Sequence, residues 1–183
     1  MKPTIALFFI LALAACNRTT GDVYVPGVPQ ALSNVAGQGD MPVEISGTLF
    51  GMDQAAFDAA ATTAMRGRNF GPVFNYSTSP AEGSTENYKV RMLVGAPVNL
   101  SHIGLCEPAV MPAPVKQDAG ETKIVTAFCY KDTVQSGATS FHTPGSGPES
   151  VEFQRMINAM LTTMFPLEDP FRDDGCGNNL VNC

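Results

Sequence analysis

The sequence predicts an α+β domain of order β-α-β-β-β-α, an antiparallel sheet with two helices packed on one face. Three observations carry this. Short runs near 43–49 and 88–94 alternate apolar with polar residues, the period of a half-buried strand. The run 124–129 is uncharged on both faces, as a central strand is. Near the end, Phe153, Met156, Ile157, Met160, Leu161, Met164 and Phe165 recur at spacings of three and four, the stripe of an amphipathic helix.

The chain begins with Lys2 and an apolar run over 5–15. That run is short of the roughly 20 residues that span a bilayer as a helix. A basic start, a short apolar centre and small residues at the end make a secretory signal. Its ending, Leu13-Ala14-Ala15-Cys16, resembles the lipobox of bacterial lipoproteins. The resemblance implies cleavage after 1–15, a diacylglycerol on the Cys16 sulfur and an acyl chain on its new amino group. It also implies a periplasm-facing protein held on a membrane by lipid. Asn17, where an Asp marks inner-membrane retention in such proteins, points to the outer membrane.

Residues 16–41 read as the lipidated cysteine and a flexible tether. Gly21, Pro26, Gly27, Pro29, Gly37 and Gly39 interrupt any helical or strand period there. A tether of that length reaches roughly 25–30 Å. The folded domain is expected over 42–167. Val43, Ile45 and Leu49 face one side of its first strand. A helix follows, with Asp53 as its amino-terminal cap and Met52 and Phe57 as a hydrophobic staple. Phe57, Ala60, Ala61, Ala64 and Met65 form its apolar stripe, and Gly67 stops it.

Tyr88, Val90, Met92 and Val94 face one side of the second strand, Lys89 and Arg91 the other. A Pro-rich connection over 96–121 holds Cys106. The strand at 122–130 turns at 131–133 into a hairpin partner, where Gly137 is read as a bulge. Ser146 and Glu149 have capping-box spacing, with Pro148 in the first turn of a helix expected over 148–165. Its Met-rich stripe is read as core packing. Residues 168–183 read as an acidic tail.

Of the five cysteines, Cys16 is set aside for lipid. Cys106, Cys129, Cys176 and Cys183 remain, an even number that reads as disulfides in an oxidising compartment. Three pairings are possible. Short local loops favour Cys106–Cys129 and Cys176–Cys183, the second closing a small ring in the tail. No C-x-x-C pair occurs, and neither histidine stands at ligand spacing from a cysteine, so no metal is expected.

The chain carries a net charge of −6 and no Trp. An acidic chain without a basic run argues against nucleic acid, which needs a concentrated basic patch. No G-x-S-x-G, no H-E-x-x-H and no Gly-rich loop with Lys occurs. No catalytic residue and no cofactor is therefore expected. The expected function is a non-catalytic accessory or interaction module of the cell envelope, with an envelope protein as partner. In plan it is similar to outer-membrane lipoproteins that assist larger envelope machines, although it shares no motif with them. The alternative is a ligand-binding or hydrolytic domain that uses the loop 96–121 with His102 and His142. It stands or falls on whether the two histidines meet in one pocket.

Overall fold

A computed structural model describes residues 18–107, 111–115, 120–143, 147–168 and Pro170. The elements are β1 (Arg18–Tyr24), α1 (Val28–Ala36), β2 (Met41–Ser46), α2 (Gln54–Met65), β3 (Tyr76–Ser77), β4 (Tyr88–Val94), α3 (His102–Cys106), β5 (Thr122–Tyr130), β6 (Thr133–His142) and α4 (Val151–Met164). They form an α+β fold around one sheet of order β1-β6-β5-β4-β2-β3. The apolar run of β5 takes an interior place in that sheet.

The sheet is mixed, and this corrects the antiparallel expectation. β4, β5, β6 and β1 are successively antiparallel, but β2 runs parallel to both β4 and β3. The physical reason is the connection. A chain that leaves β2 through a helix has enough length to return to the starting end before the next strand, which a tight turn does not allow.

The expected tether is also corrected, because the strand Arg18–Tyr24 and the helix Val28–Ala36 within it are part of the domain. β1 pairs with β6, Arg18 opposite Phe141 and Tyr24 opposite Ser136. Its side chains are mostly exposed, so main-chain hydrogen bonds hold this edge strand rather than an apolar face. Gly21 lies under α4, where a Cβ would stand 2.5 Å from the Thr163 methyl. In α1, Val28, Ala31, Leu32 and Val35 are buried at the helical spacing of three and four. Pro29 sits in the first turn, where its missing N–H costs nothing, and Gly37 follows the last turn.

The two expected helices, α2 and α4, pack on one face as expected, and a short additional helix lies on the other. α1, α2 and α4 share the larger core, where Leu32, Phe57 and Phe153 pack with Val90, Ile124 and Ala138 of the sheet. On the opposite face lies α3, where Leu105 and Cys106 cluster with Leu93, Val125 and Ala127.

Asp53 caps α2 as expected, accepting from the Ala56 N–H at 2.9 Å. Gly67 follows that helix at φ +64°, the left-handed conformation that ends helices. The cap of α4 is Ser150, which accepts from the Phe153 N–H at 3.2 Å. The expected capping box of Ser146 and Glu149 therefore gives way to a later start, and Ser146 lies outside the described residues. The stripe of α4 is buried from Phe153 to Met164.

Candidate functional site

Cys16, Cys176 and Cys183 lie outside the described residues, and so does the ring expected between the last two. Cys106 and Cys129 are bonded to each other, with their α-carbons 5.7 Å apart. The bond ties the last turn of α3 to β5. The connection expected to lack regular structure thus contains a short helix. Ser101 caps it, accepting from the Gly104 N–H at 3.2 Å.

The α3 face collects most of the polar chemistry. His102 opens the helix and is buried. Its Nε2 lies 3.2 Å from the Thr139 hydroxyl on β6. Asp22, from β1, brings Oδ1 to 2.5 Å from Nδ1, a close contact off the line of a hydrogen bond. The register shift of β1 between Thr20 and Val23 falls at this residue. Room for the ring comes from Gly137, since a Cβ there would overlap the imidazole. The order of carboxylate, imidazole and hydroxyl is that of a hydrolytic triad. Burial runs the other way, however. The carboxylate is the exposed member, its side chain 72% accessible, whereas the hydroxyl is half-buried in mid-strand.

Three cations complete this face. Lys123 Nζ donates to the carbonyls of Pro97, Val98 and Leu100 at 3.1, 2.8 and 3.1 Å, pinning the connection to β5. Burial pushes its pKa down, and the Asp22 charge offsets part of that. Arg91 is buried. Its Nη1 donates to the Leu105 and Cys106 carbonyls at 3.1 and 3.4 Å, and its Nε to Glu44 at 2.7 Å. Lys89 reaches the other Glu44 oxygen at 2.8 Å. Burial alone would raise the Glu44 pKa, but the hydrogen bonds and charges of Lys89 and Arg91 outweigh it and hold the carboxyl below its ordinary value.

His142 lies on the other face. Side chains alternate along β6, so an even-numbered residue points away from Gly137 and Thr139. His142 is buried against Phe50, ring centroids 5.4 Å apart, and Phe50 in turn meets Phe153. Neither of its ring nitrogens has a hydrogen-bond partner among the described residues. Burial pushes its pKa down. The two histidines therefore do not share a pocket, and the reading that joins them in one site is corrected. The sheet's alternation keeps them apart.

A cleft lies where the carboxyl ends of β2 and β4 run side by side. It measures about 630 Å³ and is lined in part by Ser46, Thr48, Gln54, Gly95, Val115 and Thr122. Gly47 and Gly95 both have positive φ, +82° and +78°. A Cβ on Gly47 would overlap the Val94 carbonyl, and one on Gly95 would stand 2.8 Å from the Val115 carbonyl. These glycines let three chain segments close over the end of the sheet.

Sequence reasoning missed Asp22, Thr139, Glu44 and the anchoring role of Arg91. The Lys89/Arg91 face of β4 was visible, but its partner Glu44 sits on a strand that was expected to pair differently. Among the described residues no group of three or more His, Cys, Asp or Glu could hold a metal ion, and no helix is long and apolar enough to cross a membrane.

No family model matches the chain, and no curated protein does. Two solved structures of a PelC dodecamer from Paraburkholderia phytofirmans are similar to it. One, a point variant, is 14% identical, covering 80% of this chain and 98% of that one at a TM-score of 0.37. The other, in a second crystal form, is 13% identical, covering 82% and 94% at a TM-score of 0.33. Neither likeness is close enough to carry a fold assignment or a function.

Proposed function

We propose that this chain is a lipid-anchored protein of the bacterial cell envelope, facing the periplasm from the outer membrane. It acts as a non-catalytic accessory or interaction module for an envelope protein. The observation that carries the reading is the "LAAC" ending of the leader. The Cys106–Cys129 disulfide supports an oxidising compartment. The non-catalytic part rests on where the reactive side chains are spent. Lys123 and Arg91 hold backbone carbonyls, His102 seats α3, and His142 sits in the core.

Cell fractionation with in vivo crosslinking tests both parts. The native chain is expected in the membrane fraction with a discrete adduct, and Cys16→Ser in the soluble periplasm. Equal partition of the two would contradict the anchor. A native chain on the membrane with no adduct would contradict the accessory role.

A second reading, a hydrolytic domain, has one observation behind it, the contact of Asp22, His102 and Thr139. A fluorophosphonate probe, which reacts with activated hydroxyls, would have to label Thr139 in the native chain and not in His102→Gln.

A further inference from the structure

We infer that the end of the sheet where β1 begins is a membrane-contact surface, lying flat against the bilayer that holds Cys16, with Val98 and Val115 at the lipid. The inference rests on the lipidation of Cys16 proposed above and adds an orientation to it. Only Asn17 stands between Cys16 and the first strand residue, Arg18. Two residues of chain span at most about 7 Å. The headgroup layer is itself about 5–7 Å thick on each side of a bilayer. A lipid on Cys16 therefore holds Arg18 at the bilayer surface, and no tether lifts the domain away.

Sheet register identifies what lies beside Arg18. Arg18 pairs with Phe141, and Phe141 with Lys123. The Gly95 N–H donates to the Lys123 carbonyl at 3.0 Å, and the Val115 N–H to the Gly95 carbonyl at 2.8 Å. Lys123 Nζ holds the Val98 carbonyl at 2.8 Å. One row across the end of the sheet thus runs from Arg18 to the loops that carry Val98 and Val115. Both valines are exposed, Val98 at 93% and Val115 at 44%. Ala113 and Pro114 beside Val115 are exposed too. The Arg18 guanidinium stacks over Phe141, 4.8 Å from its centroid, a pairing of cation and ring suited to a headgroup layer.

The opposite end of the sheet is far from that anchor. β5 runs from Thr122 at the proposed lipid end to Tyr130, about 25 Å away at strand rise. Val73 precedes β3, whose Tyr76 pairs with Met41 at the start of β2, so it lies toward that far end. It is 86% exposed.

The chain contains no Trp, so a single Trp reports its own surroundings. Val98→Trp and Val73→Trp replace side chains that are almost fully exposed, and both variants should fold. Each is made in the full chain, purified from bacterial membranes in detergent and reconstituted into phosphatidylethanolamine/phosphatidylglycerol vesicles, with or without acyl chains brominated near the headgroup. Flotation of the vesicles is read first, with Cys16→Ser as reference. The expected result is flotation of both Trp variants, strong bromine quenching and a blue shift for Val98→Trp, and neither for Val73→Trp. Flotation with Val73→Trp quenched, or with neither quenched, overturns the orientation and leaves the anchor standing. Failure to float beyond the level of Cys16→Ser overturns the anchor and the orientation with it.

Discussion

The imidazole of His102 lies directly on the bare backbone of Gly137, where a methyl group would overlap ring atoms Cγ and Cδ2. This contact seats α3 on β6. Gly137→Ala should therefore destabilise the fold by about 1–3 kcal/mol, the usual cost of forcing atoms into a packed site. In a His102→Ala background the same change should cost little, because the ring it strikes is gone. A double-mutant cycle in denaturant measures that coupling. Additive costs would show that Gly137 is needed for some other reason.

Leu32→Ala tests whether α1 belongs to the domain. The side chain is 3% exposed in the main core, so its loss should cost about 2–5 kcal/mol. A change within the error of urea unfolding would return this segment to the status of a tether.

His142 should make stability depend on pH. Burial holds its folded pKa below the ordinary value, while the unfolded chain titrates near 6.5. As pH falls through the unfolded value the unfolded state takes up the proton first, so stability declines. Unfolding measured between pH 7.5 and 5.5 should show that decline in the native chain and a flatter profile in His142→Phe. That window stays above the range in which Glu44, held below its ordinary value, contributes. Identical slopes would place the effect elsewhere.

Removing the disulfide as a pair, Cys106→Ala with Cys129→Ala, should lower stability by about 3 kcal/mol on the chain-entropy estimate for a loop of this size. Hydrogen exchange should locate the loss in α3 and its connection, where Arg91 and Lys123 hold the backbone. Uniform loss of protection across the sheet would contradict that placement.

What could be read from the sequence follows from how each element is stabilised. α4 and β5 bury whole faces, and α2 carries its cap in Asp53, so pattern and capping chemistry reveal them. β1 puts only Tyr24 against the core, and its main-chain pairing to β6 leaves no trace in "RTTGDVY". In α1 the residues that look like breakers, Gly27, Pro29 and Gly37, stand at the helix ends, where they are tolerated. The parallel pairing of β2 depends on where α2 returns the chain, which residue spacing does not encode. Asp22 meets His102 only because β1 folds back on β6, and Thr139 only because α3 packs on that strand. His102 and His142 differ in face because of strand parity, which is legible once β6 is in register.

The proposed lipidation of Cys16 as first residue of the mature chain is decided by the amino-terminal tryptic peptide. Cleavage after Arg18 releases Cys16-Asn17-Arg18, a three-residue fragment that carries the lipid. Mass spectrometry of the membrane-derived protein should find that peptide with a diacylglyceryl group on sulfur and an acyl chain on the amino group. An unmodified Cys16, or a mature chain starting at another residue, would contradict the account.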